Sequence, residues 1–197
     1  CQMNQADARR AEEELLARGW LPTREPERAD LLLLNTCVVR QSAEDKVLGR
    51  LASLAPLVCG RSGEPAPALV VMGCLVDDPL ALKQRYPYVN AFLKPSDIAG
   101  LTGFVEQLEQ SSESATQVAL PVTAAQVSEA VPISYGCNHR CTYCIVALRR
   151  GETRSRQVDE ILEEARGLVE RGAREITLLG QNVDAYGEDL PAPAPDL

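Results

Sequence analysis

Three cysteines stand within eight residues, in Gly136-Cys137-Asn138-His139-Arg140-Cys141-Thr142-Tyr143-Cys144, at the spacing C-x3-C-x2-C. A cubane iron-sulfur cluster takes one protein ligand per iron, usually a cysteine thiolate. A run that offers three such ligands leaves one iron open to a group from outside the chain, and an open iron invites a small chelating molecule. Three other readings stand beside this one: a structural zinc site, a disulfide cluster, or a chance spacing. Zinc is usually held by paired C-x2-4-C knuckles with a second pair at a distance, and the chain's one histidine, His139, lies inside the motif itself. His139 reads as a solvated loop residue rather than as a ligand.

The elements that must position these thiols can be read from the apolar pattern. An amphipathic helix is expected over Ala6 to Arg18, a buried strand at Leu31 to Leu34, and a helix from Ser42 to Leu57 with Ser42 as a possible cap. After a Gly/Pro-rich break come a second apolar strand, Ala68 to Met72, room for a short helix, a strand near Val89 to Leu93, and a helix from Ser96 to Glu109. Strands alternating with helices predict a parallel sheet, and ligands of such sheets gather beyond the carboxyl ends of the strands. Cys37 and Cys74 each follow a predicted strand, and Cys1 would do so if an upstream segment formed the first one. The repeat of roughly one β-α-β unit between these cysteines predicts that Cys1, Cys37 and Cys74 converge on one edge as a second cluster site. Each has a plainer reading: Cys1 as a lipid-modified amino terminus, Cys37 and Cys74 as small buried apolar residues. Cys59 belongs to no motif and reads as structural or incidental.

Residues Gln110 to Ala130, rich in serine, alanine, glutamine and threonine, read as a linker. The expected organisation is therefore a domain over 1–110, a linker over 111–130 and a second domain over 131–197. In the latter, a strand at Val131 to Tyr135, the cysteine loop, a helix from Val158 to Arg171 and a strand at Arg174 to Leu179 form the opening of a β/α barrel. The cysteine loop then follows the first barrel strand, where such barrels build their active sites. Two strands do not make a barrel, so the sequence is expected to be an internal portion of a longer protein with little or no turnover on its own.

The composition, 45% apolar and 24% charged over 197 residues, is that of a globular protein with one good core or two small ones. The apolar runs are far too short to cross a bilayer and no leader precedes them, which predicts a cytoplasmic protein with no membrane partner. An odd count of seven cysteines fits metal ligation in a reducing compartment better than a disulfide scaffold. A net charge of −8 argues against a nucleic-acid partner, yet Arg140, Arg149, Arg150, Arg154 and Arg156 cluster in and just after the cysteine loop. They form either a basic patch beside the site or an ordinary solvated loop.

With Tyr143 just before its last cysteine, the C-x3-C-x2-C motif resembles the signature of the radical S-adenosyl-L-methionine (AdoMet) enzymes. Taken with Cys1-Gln2-Met3-Asn4, Asn35-Thr36-Cys37, Gly73-Cys74 and Leu179-Gly180-Gln181-Asn182-Val183-Asp184-Ala185-Tyr186, it makes nearly the whole chain similar to the MiaB-type tRNA methylthiotransferases. The resemblance implies an α/β fold, with an amino-terminal flavodoxin-like parallel sheet followed by the start of a radical AdoMet β/α (partial TIM) barrel. It implies two 4Fe-4S clusters, one on Cys137, Cys141 and Cys144 with AdoMet on its open iron, and an auxiliary one on Cys1, Cys37 and Cys74. Tyr143 would lie against the adenine side of AdoMet and Gly180, Gln181 and Asn182 near its methionine end, although a plain strand-to-helix turn explains the last three nearly as well.

The implied reaction adds a methylthio group to carbon 2 of N6-isopentenyladenosine beside the tRNA anticodon. The implied partners are the anticodon stem-loop and an electron donor such as flavodoxin or ferredoxin, for a protein acting as a monomer. Alternatives are a sister enzyme acting on threonylcarbamoyladenosine tRNA or a ribosomal-protein aspartate, and a non-catalytic metal-binding module. The chain departs from the family at Ala147-Leu148, where a proline and an aromatic residue are usual, and at Gly73-Cys74-Leu75-Val76, where Gly-Cys-Met-Ala is commoner. The family usually adds a small carboxy-terminal RNA-binding TRAM domain, and the resemblance does not extend to one.

Overall fold

Parallel strands can be joined only by crossovers long enough to return the chain to the same end of the sheet, and the helices between the apolar runs do this. The computed structural model describes residues 1–60, 66–111 and 125–191. The chain divides into two compact units, Asp7–Leu120 and a second made of Cys1–Ala6 with Pro121–Leu197.

In the first, β1 (Leu31–Thr36), β2 (Ala68–Gly73) and β3 (Ala91–Leu93) form a parallel sheet in the order β1-β2-β3. Helix α1 (Gln2–Ala17) precedes β1, α2 (Gln41–Val58) and α3 (Pro79–Arg85) make the crossovers, and α4 (Ile98–Ser111) follows β3. Alternate strand residues share a face. Leu31, Leu33, Val70, Met72, Ala91 and Leu93 accordingly pack with Ala11 and Leu15 of α1 and Leu101 and Val105 of α4. Leu69 and Val71, on the opposite face of β2, are also fully buried. Burial on both faces is why this strand reads as a continuous apolar run instead of an alternating one.

Helix α2 begins one residue before its expected start. Arg40 is its N-cap, with the Arg40 carbonyl accepting from Ala43 N and Glu44 N, so Ser42 lies inside the first turn and does not cap it. At α3 the start is set by Asp78, whose carboxylate accepts from Leu80 N and Ala81 N ahead of Pro79.

The second unit carries β4 (Ser128–Pro132) paired in parallel with β7 (Glu175–Leu179), and β5 (Ser134–Tyr135) paired antiparallel with β6 (Arg154–Ser155). Between them in the chain lie the short α5 (Val146–Arg150) and α6 (Val158–Glu170). Ile161 and Leu168 of α6 pack with Val131, Ile133, Ala173 and Tyr186.

Three expectations are corrected here. The single strand Val131 to Tyr135 is two, because Pro132 has no N–H to donate and Ile133 changes partner. Ile133 N donates to Leu179 O, while its own carbonyl accepts from Arg156 N. Ser128 to Ala130, read as linker, belong to β4, with Glu129 buried; residues 112–124 of that linker lie outside the described residues. Helix α1 starts at Gln2 and not at Ala6, because Met3 and Ala6 are buried against Leu179, with Ala130 and Tyr135 beside them.

The core assignment has a direct check in chemical denaturation. Leu101→Ala is expected to lower stability by about 2–5 kcal/mol by leaving a cavity. Leu80→Ala, at a side chain that is 78% exposed, is expected to stay within about 0.5 kcal/mol of the parent.

Candidate metal centre

The three clustered cysteines lie on the loop between β5 and β6, and that loop is closed at its neck by main-chain geometry. Gly136 has φ +74°, and a Cβ there would stand 2.0 Å from Glu152 O and 2.7 Å from Gly151 O. Only glycine permits both the left-handed backbone and this approach. Next to it Cys137 N donates to Gly151 O (3.0 Å) and Thr153 N to Asn138 Oδ1 (3.0 Å), so both strands of the neck are joined by hydrogen bonds. Further out, Cys144 N donates to Cys141 O (3.0 Å), which places the second and third cysteines on one tight turn.

Cys137 is half-buried, Cys141 and Cys144 are exposed, and all three are free thiols. Among the described residues no three histidine, cysteine, aspartate or glutamate side chains stand as a group that could hold a metal ion as placed. The fit to an iron-sulfur cluster therefore rests on the donor set: three soft thiols on one closed loop, unpaired with one another and accessible. Tyr143 is 91% exposed and His139 is exposed.

Where the loop returns to the sheet, Arg156 is a strut. Its Nη1 donates to Pro132 O (2.7 Å) and pairs with Glu164 Oε2 (2.6 Å), its Nε lies 3.8 Å from Glu160 Oε2, and its side chain is 11% exposed. The sequence grouped Arg156 with the arginines of a basic patch or solvated loop; the i, i+4, i+8 spacing of Arg156, Glu160 and Glu164 into α6 is the signal that it is paired instead. The carbonyl of Arg156 accepts from the Tyr186 hydroxyl (3.0 Å). One residue earlier, Ser155 N donates to Asp189 Oδ2 (2.9 Å) and Ser155 Oγ accepts from Gly187 N (2.9 Å). This clasp has no motif spacing that would reveal it in the sequence.

Burial pushes the Tyr186 phenol above its ordinary range; Arg156 pulls it back and Asp189 pushes it further up. Burial also raises the Asp189 carboxyl, but hydrogen bonds to Ser155 and to its own backbone together outweigh this and hold it below the usual range.

The turn after β7 meets the same region. A Cβ on Gly180 would stand 2.7 Å from Ser134 Oγ and 3.3 Å from Val183 Cγ2. Ser134 is buried, and its hydroxyl has no hydrogen-bond partner among the described residues. Gly180, expected near a cofactor, is thus brought against the strand that enters the cysteine loop. Gln181 and Asn182 follow it, half-buried, and Asn182 precedes a short 3-10 turn without capping it through its side chain.

In the Asp7–Leu120 unit, the ends of β1 and β2 are joined around Thr36. Thr36 Oγ1 donates to Met72 O (2.8 Å) and accepts from Leu75 N (3.2 Å), and Cys74 N donates to Thr36 O (3.0 Å). Gly73, at φ +105°, leaves no room for a Cβ, which would lie 2.4 Å from Thr36 O. Thr36 and Gly73 are register partners, so the half-buried Cys37 and buried Cys74 emerge from neighbouring strand ends. Cys1 is exposed and belongs to the Cys1–Ala6 segment of the other unit; Cys59 is exposed at the end of α2.

Residues 1–94 match the uncharacterized protein family UPF0004 and residues 131–191 match the radical SAM superfamily. A relative from Roseiflexus sp. (strain RS-1) is 42% identical over 100% of this chain and 41% of its own length. One from Herpetosiphon aurantiacus is 40% identical over 100% of the chain and 44% of its own length. One from Desulfitobacterium hafniense is 41% identical over 96% and 44%. Each carries the name tRNA-2-methylthio-N(6)-dimethylallyladenosine synthase, and the chain spans less than half the length of each. Among the described residues no helix is long and apolar enough to cross a membrane.

Thermal and denaturant unfolding test this geometry. Gly136→Ala is expected to destabilise by about 2 kcal/mol or more, through strain and overlap with Glu152 O. Ser134→Ala, which removes a buried hydroxyl without a partner, is expected to be neutral or stabilising. Tyr186→Phe is expected to cost about 1 kcal/mol for the lost bond to Arg156 O. Because the folded state raises the phenol's pKa, the Tyr186 contribution is complete below about pH 10 and declines as pH rises through the folded value. The phenylalanine variant should show a flatter alkaline loss of stability.

Proposed function

We propose that the chain belongs to the radical SAM methylthiotransferases and forms the cluster-binding part of an enzyme that adds a methylthio group to carbon 2 of N6-isopentenyladenosine beside a tRNA anticodon. The observation that carries this reading is the coincidence of a closed C-x3-C-x2-C loop with about 40% identity, along the whole chain, to relatives named for that product. The two alternatives raised by the sequence, a sister substrate and a non-catalytic metal module, gain no support from those names.

Cys137, Cys141 and Cys144 would hold one 4Fe-4S cluster, and Cys1, Cys37 and Cys74 a second. The carbon 2 hydrogen of adenine is too inert for ionic substitution, and the cofactors would supply the chemistry it needs, reductive cleavage of AdoMet to a hydrogen-abstracting radical and sulfur delivered from the auxiliary site. The chain's own residues act by placement. Gly136 and the Cys137–Gly151 bond hold the loop neck shut, so the three thiols are presented from a fixed base. The Cys141–Cys144 turn sets the second and third donors together. Tyr143, one residue before the last thiol, is exposed and available to cover the adenine of AdoMet, while Gly180, Gln181 and Asn182 would approach its methionine end. Thr36 and Gly73 fix the strand ends from which Cys37 and Cys74 emerge. In this reading the anticodon stem-loop is the substrate, a flavodoxin or ferredoxin supplies electrons, and the enzyme works as a cytoplasmic monomer.

Iron and sulfide content with electron paramagnetic resonance, after anaerobic reconstitution, tests the assignment. The chain is expected to take up about eight irons, falling to about four when Cys137, Cys141 and Cys144 are all replaced by alanine. Zinc uptake, or about four irons unaffected by the triple replacement, would transfer the lead to the metal-binding module.

A further inference from the structure

Five arginines and one glutamate lie between Cys137 and Arg156, in a chain whose net charge is −8. A polyanion is repelled by such a chain unless unneutralised cations are grouped where it must land. The fold divides these arginines into two kinds. Arg156 is spent on Glu164, Glu160 and the Pro132 carbonyl, with little of its side chain in contact with solvent. Arg149 and Arg150 form the last turn of α5 and are half-buried. Arg140 and Arg154 are exposed, and neither has an ion-pair partner among the described residues.

Their placement follows from the loop neck. Thr153, the neighbour of Arg154, donates its N–H to Asn138, which is two residues from Arg140. Arg154 is also the register partner of Tyr135, two residues before Cys137. Arg140 thus lies within the thiol-bearing loop, two residues beyond one side of its neck, and Arg154 stands on the other side of that neck. A guanidinium offers a planar fork of N–H donors matched to phosphate oxygens, and its charge is not lost near neutral pH.

We propose that Arg140 and Arg154 are phosphate contacts that seat the backbone of an RNA loop across the cysteine loop, with Arg156 excluded from that role. This rests on the RNA-modifying reading above and adds to it the residues that position the RNA. Such contacts set register and orientation and carry no base sequence themselves.

The test is binding of a synthetic anticodon stem-loop RNA to the reconstituted chain at several salt concentrations, with iron content measured for every variant. Arg140→Gln and Arg154→Gln are each expected to weaken binding roughly three- to tenfold at low salt, and to lower the slope of log K against log salt by about 0.7. Arg140→Lys and Arg154→Lys should retain most of the slope, and Arg24→Gln, at an exposed site in the other unit, should leave binding as in the parent. If the parent binds RNA and both glutamine variants behave like Arg24→Gln, this proposal is overturned while the RNA reading stands. If the iron-loaded parent binds no RNA at any salt concentration, the RNA reading fails and this proposal with it.

Discussion

Between Gly136 and Glu152 two stretches of backbone approach so closely that a single methyl group would overlap the Glu152 carbonyl oxygen. That approach lets Cys137 N reach Gly151 O and Thr153 N reach Asn138, and it turns a fifteen-residue excursion into a loop with a fixed neck. Everything proposed for the cysteine loop depends on it. Thiols on an open, wandering segment would have to lose much more conformational freedom before they could share a cluster. Strand β6, the Arg156 strut and the Tyr186–Asp189 clasp all act on the returning side of the same neck, so the constraint is supported from α6 and from the turn after β7.

The Asp7–Leu120 unit uses the same device at a different place. Gly73 has a positive φ and no room for a side chain, and Thr36 spends both its hydroxyl hydrogen and a lone pair on the end of β2. In each unit a glycine immediately before a cysteine removes the steric obstacle that would hold the thiol-bearing backbone away from its neighbour. The Gly-Cys pairs at 73–74 and 136–137 therefore have a mechanical meaning apart from any ligand: they are points of close backbone approach.

Charge follows a comparable division of labour. Arginines that look equivalent along the sequence differ by what lies across from them, and a carboxylate at the right distance along α6 is enough to convert one from a surface cation to an internal strut. A nearly buried arginine with a carboxylate and a carbonyl is satisfied in place. An exposed one beside the loop neck keeps its charge for an external partner.

Local features are legible in the residues alone. The C-x3-C-x2-C spacing, the apolar runs of β1 and β2 and the amphipathic period of α6 are each set by neighbours a few residues apart, and so they survive in the linear pattern. The parallel sheet could be inferred from the alternation of those elements, and the structure has it in the order β1-β2-β3. Tertiary structure decided what depends on distant partners. The break at Pro132 and Ile133 arises because Leu179 and Arg156 claim opposite ends of one residue. The early start of α1 comes from Leu179, far along the chain, burying Met3 and Ala6. The clasp of Ser155 by Gly187 and Asp189 joins groups more than thirty residues apart. No periodicity encodes such pairings, because their energy lies in contacts that exist only once the chain has folded back on itself.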